Sequence, residues 1–261
     1  MKDVYLIPDR NRMEESMALA KKYGAYFEYN DFYSPTVLED VEKIEELITF
    51  YKELDRDRSK DTLHGAFLDV TIHSDDPVIR AASEHRVRQC MQIADRLGIR
   101  GVIFHTNTIP NFRVDYYQKN WVARNATFWH QILKEFPNLY VFIENMFDEE
   151  PELLAQLAIR MENEDRFGIC FDYAHAQVFG YDIDDWMEQL GRYVKHMHIN
   201  DNNLVADLHQ SVGSGQIDWN IFNMKMLENE MNVSVLIEVK DLEVQKKSLE
   251  YMQEKGIYPY L

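Results

Sequence analysis

The segment FDYAHA, residues 171–176, follows the apolar run FGIC and ends it with Asp172 and, three residues on, His175. The same habit recurs along the chain. Apolar runs close on His64, His105, Glu144, Asp172, His198 and Glu238, and the segment after His198 adds Asp207 and His209. Any one of these has an ordinary structural explanation. A strand-terminal histidine hydrogen-bonds a loop, an aspartate caps a helix, and a glutamate pairs with a lysine. Those explanations would have to hold separately at six runs in succession. Nine ionisable groups turned toward one cavity are costly to desolvate unless a cation compensates them. Five imidazoles with four carboxylates suit zinc, manganese, cobalt or iron better than calcium, and magnesium is a further candidate. The expected chemistry is therefore that of a divalent metal.

The elements that must position these groups follow a repeated pattern. Strand candidates are DVYLI (3–7), AYFEY (25–29), DTLHG (61–65), GVIFH (101–105), LYVFIE (139–144), FGICFD (167–172), VKHMHI (194–199) and SVLIEV (234–239). Helical spacing is clearest over 37–54, 85–98, 121–136 and 151–161. Gly98 and Pro137 read as helix stops, and Asp218 reads as an N-cap. Strands alternating with helices imply a parallel sheet covered by helices. For 261 residues the economical closure is a single-domain α/β (β/α)₈ TIM barrel spanning residues 1–261. An open doubly wound sheet would want a glycine-rich loop after the first strand, and DVYLIPDRNRME has none. In such a barrel the site lies at the C-terminal strand ends, where the ionisable residues fall.

The remaining histidines read differently. His73 lies among Asp75 and Asp76 in a loop, and His85 and His130 fall in helices. His196 faces the same side as His198 but one layer deeper, which suits a supporting role rather than direct ligation. Phe32, Tyr33, Phe67, Phe112 and Phe147 follow strands and are positioned either to pack on a substrate or to pack the barrel top. Trp121, Trp129 and Trp186 lie in helical segments and belong to core or interface. Cys90 and Cys170 are too few for a disulfide framework and read as buried thiols.

A net charge of −17 repels polyanions, and no basic patch relieves it, so a nucleic-acid partner is not expected. No window is apolar enough to span a membrane, and the N-terminus lacks a secretory pattern. The default expectation is a cytoplasmic protein.

The segments IEN (143–145), FDYAHA, HMHINDNN (196–203), DLHQSVGSGQIDW (207–219) and IEV (237–239) resemble the xylose-isomerase-like barrels. That family includes sugar epimerases, sugar-phosphate isomerases and endonuclease IV. In the epimerase branch, the resemblance implies that Glu144, Asp172, His198 and Glu238 hold one divalent metal. Glu144 and Glu238 also act as the acid–base pair, and His175 touches the substrate; His64 and His105 are further candidates for substrate contact. The likeness to endonuclease IV implies three zinc sites instead. These are His64 with His105 and Glu144; Glu144 with Asp172, His198 and Glu238; and His175 with Asp207 and His209. The expected function is thus a metal-dependent isomerase or epimerase of a small sugar or sugar derivative, working through a metal-stabilised enediolate. A phosphoester hydrolase is the alternative, and a barrel that binds sugar or metal without turnover is the second. Family epimerases pair into oligomers, so a homo-oligomer is also implied, although no segment marks an interface.

Overall fold

The computed structural model describes residues 3–261. Its elements run β1 (Val4–Leu6), α1 (Met13–Tyr23), β2 (Tyr26–Tyr29), α2 (Pro35–Leu38), α3 (Val41–Glu53), β3 (Thr62–His64) and α4 (Pro77–Leu97). They continue with β4 (Gly101–His105), α5 (Asp115–Glu135), β5 (Tyr140–Glu144), α6 (Glu152–Arg160), β6 (Phe167–Asp172), α7 (Tyr173–Phe179) and α8 (Ile183–Leu190). The last are β7 (Val194–Ile199), α9 (Trp219–Glu228), β8 (Ser234–Ile237) and α10 (Leu242–Lys255). The sheet closes in the order β1 to β8 as a parallel barrel, the expected α/β architecture.

By compactness the chain forms two units. One holds the stretch up to Glu28, Asn145–Pro151 and Ile169–Leu261; the other holds Tyr29–Glu144 and Glu152–Gly168. In the first, β1 pairs with β8 in the register Tyr5↔Leu236, and β6 pairs with β7 in the register Asp172↔His198. In the second, β4 pairs with β5 in the register His105↔Glu144. The β6–β7 and β4–β5 registers each put two candidate ligands side by side on neighbouring strands.

The helices start where the sequence supplies caps. Asp76 accepts from the Val78 N–H ahead of Pro77, so α4 begins eight residues before the clearest periodicity. Asp40 caps Lys43 and divides the expected 37–54 helix into α2 and α3. Gly98 ends α4 in the left-handed conformation. Trp121, Trp129 and Trp186 are buried as expected, and so are both free thiols, Cys90 and Cys170. Among the described residues no helix is long and apolar enough to cross a membrane.

Candidate metal centre

Each unit carries its own cluster of ligand-type side chains. In the second unit, β3 ends on His64, β4 on His105 and β5 on Glu144. All three are buried. His64 Nε2 and His105 Nε2 each stand 3.5 Å from Glu144 Oε2. The Phe67 ring packs on His105 and His64, with centroids at 4.7 and 5.7 Å. Tyr33 packs behind Phe67 at 5.6 Å.

In the first unit, Asp172 closes β6 and caps α7, its Oδ1 accepting the His175 N–H at 2.6 Å. Asn145 clamps the Asp172 backbone from both sides: its Nδ2 donates to Asp172 O and its Oδ1 accepts from Asp172 N, each at 2.9 Å. Helix α7 thus begins directly on the strand, which turns His175 back toward Asp172. His175 Nδ1 lies 2.9 Å from Asn145 O. A carbonyl can only accept, so Nδ1 carries a hydrogen. His175 Nε2 lies 3.4 Å from Asp207 Oδ2.

His209 repeats the arrangement. Its Nδ1 donates to Glu238 O at 2.7 Å, and its Nε2 lies 2.8 Å from the same Asp207 oxygen. Burial works against a charge on His209, but Asp207 and Glu238 outweigh it and push its pKa up to about 10. Burial would likewise raise the Asp207 carboxyl, yet His175 and His209 hold it well below the usual carboxylate range.

His198 lies between two carboxylates. Its Nδ1 is 3.7 Å from Glu238 Oε2 and its Nε2 is 3.2 Å from Glu28 Oε1. Glu28 also stands 3.4 Å from His196 Nε2, and His196 Nδ1 meets Ser234 Oγ at 2.7 Å. Burial would raise the Glu28 carboxyl, but His198 and His196 overcome it and keep it ionised. His196 is thus buried between Ser234 and Glu28. Glu28 joins this buried cluster, and the pattern AYFEY conceals it, because one carboxylate in an alternating strand reads as a solvent-facing position.

A second concealed residue is Asp201. Its Oδ1 accepts from Asn202 N and Ile217 N, and its Oδ2 from Gly213 N and Trp219 Nε1. These bonds fold the segment carrying Asp207 and His209. A Cβ at Gly215 would overlap Asn202 O and Asp201 Oδ1, which is why a residue without one stands there.

The donors fit a divalent ion. Glu238 Oε2 and Asp207 Oδ1 are buried and accept no hydrogen bond, and imidazole nitrogens approach carboxylate oxygens at 3.4–3.7 Å as groups sharing a cation do. The other expectations sort by contact. Phe67 touches the histidines; Phe32 is core packed on Tyr51, and Phe147 packs on Phe179. Phe112 packs on Tyr117 beside a cavity of about 370 Å³ lined also by His73, Ile109 and Tyr116.

The sequence matches the family described as xylose isomerase-like TIM barrel over residues 17–255. Among solved structures, the chain is similar to the TTHB071 protein from Thermus thermophilus, soaked with ZnCl2. Identity is 24%, the TM-score is 0.74, and 97% of each chain is covered. D-psicose 3-epimerase from Clostridium cellulolyticum H10 matches at 14% identity and a TM-score of 0.69, over 98% of this chain and 99% of that one. Endonuclease IV from Thermus thermophilus matches at 15% identity and 0.62, over 97% and 98%. At such identities the likeness carries the fold.

Proposed function

The chain belongs to the xylose isomerase-like TIM barrels, and from that premise we propose that it is a divalent-metal-dependent isomerase or epimerase of a small sugar or sugar derivative. The observation that carries this reading is the facing of His198 Nδ1 and Glu238 Oε2, two acceptor-type atoms 3.7 Å apart in a buried setting. In the proposal, Glu144, Asp172, His198 and Glu238 hold one ion. Zinc, manganese, cobalt, iron and magnesium are its candidates.

A bound ion would supply Lewis acidity toward a substrate carbonyl and its neighbouring hydroxyl, lowering the cost of removing a proton from the adjacent carbon. The chain's own residues do the rest. Glu238 takes that proton, and Glu144 returns one on the opposite face. Burial of both carboxyls keeps bulk water from competing for the proton. His64, His105 and His175 bind and orient the substrate hydroxyls. The Phe67 ring, already against two of those imidazoles, packs on the apolar face of the sugar.

Metal-dependent phosphoester hydrolysis is the second reading. It is favoured by Asp207 Oδ2, which has imidazole nitrogens at 2.8 and 3.4 Å, a ready place for a further ion. A DNA substrate is disfavoured by the net charge of −17, which even three divalent ions leave strongly negative. The test is turnover of a keto-sugar panel in deuterated water, before and after chelation. Metal-dependent epimer or isomer formation with deuterium at the carbon beside the carbonyl supports the proposal. Phosphate release with no sugar turnover would transfer it to hydrolysis. Thermal stabilisation by sugars without any turnover would make the barrel a binder.

A further inference from the structure

Glu28, in β2, is wholly buried, and no step above uses it. Its place becomes clear from how the other imidazoles are held. His64, His175 and His209 each set Nδ1 against a backbone carbonyl, that of Gly65 at 3.2 Å, Asn145 at 2.9 Å and Glu238 at 2.7 Å. All three therefore present Nε2 to a carboxylate. His198 is turned the other way: Nε2 faces Glu28 and Nδ1 faces Glu238. A carboxylate oxygen 3.2 Å from Nε2 is the natural acceptor for an Nε2–H, an arrangement that leaves the Nδ1 lone pair on the side of Glu238.

We propose that Glu28 is the positioning residue for His198, fixing its tautomer and ring orientation so that Nδ1 is the nitrogen offered to the divalent ion. The inference rests on the metal reading above. His196, anchored through Nδ1 to Ser234 Oγ, sets its Nε2 3.4 Å from the second oxygen of Glu28, so each carboxylate oxygen faces one imidazole. A carboxylate behind a ligand imidazole both orients the ring and makes its free nitrogen a better donor.

The experiment pairs metal affinity with histidine tautomers. Glu28→Gln replaces two acceptors by one acceptor and one donor, so it can no longer fix both rings. Its dissociation constant for Mn²⁺ or Zn²⁺, from chelator competition, is expected to rise about ten- to a hundredfold. Glu28→Asp, which keeps the charge on a shorter arm, is expected to recover part of the loss. In metal-free wild type, histidine-selective ¹⁵N spectra, assigned by comparison with His198→Gln, should show His198 as the Nε2–H tautomer. Glu28→Gln should show it mixed or reversed. An Nδ1–H His198 in the wild type, or a Glu28→Gln affinity equal to wild type, overturns the inference. Should Glu28→Gln not fold, the wild-type tautomer decides. Should wild type bind no divalent ion, the metal reading fails, and the tautomers alone judge Glu28.

Discussion

Asp207 shows what this rim asks of a single residue. One of its oxygens meets two imidazole nitrogens at 2.8 and 3.4 Å, and without a cation that contact needs a proton on at least one ring. Glu238 bears the greater chemical load in the proposed reaction. Glu238→Gln keeps the shape and the hydrogen-bonding backbone but removes the base and a charged ligand. Metal-dependent turnover should fall by at least about a thousandfold, while the circular dichroism spectrum and melting temperature stay close to wild type. Retained activity in that variant would refute the acid–base role. Individual residues were legible where chemistry and position coincide: an imidazole or carboxylate at the end of an apolar run. Glu28 was not, because only closure of the sheet buries a side chain that alternation assigns to the outside.

Among elements, the segment from Asp201 to Trp219 is the most specific construction. It has little regular structure, and one buried carboxylate gathers four donors to shape it. Asp201→Ala strands those donors. Unfolding free energy should drop by about 3 kcal/mol or more in urea titrations, and a change below about 0.5 kcal/mol would contradict the assignment. Gly215→Ala, whose added methyl overlaps Asn202 O and Asp201 Oδ1, should destabilise in the same direction and loosen the Asp207–His209 pair.

The sequence pattern located the strands to within a residue or two and the amphipathic parts of α3, α4, α5 and α6. It was silent on α1, whose buried face is small or polar, Ser16, Ala20 and Tyr23. It was silent also on α7, which starts without a turn on the last residue of β6. Asp201 reads in NDNN as one more loop aspartate, since its four donors are scattered as far along the chain as Trp219.

For the molecule as a whole, protonation of a buried group makes stability depend on pH. His73 is buried among Tyr117, Trp121 and Arg124, with Asp75 nearby. Burial, then Arg124, lowers its pKa to about 4 against a partial offset from Asp75. The unfolded chain takes up this proton near pH 6.5 and the folded chain only near 4, so acid favours unfolding between those values. Stability attributable to His73 is whole above about pH 6.5 and is lost as pH falls toward 4, by roughly 3 kcal/mol. A His73→Phe variant should flatten that part of the stability–pH profile in urea titrations; an unchanged slope would contradict the burial argument.

The whole account depends on the imidazoles and carboxylates at the strand ends holding a divalent cation. The direct measurement is the metal-to-protein ratio, by elemental analysis after reconstitution and exhaustive desalting, of wild type beside Glu238→Gln and His198→Gln. The account predicts at least one ion per wild-type chain and a marked loss in both variants, with a ratio near one favouring sugar chemistry and near three favouring hydrolysis. A wild-type ratio near zero with zinc, manganese and cobalt alike would contradict it.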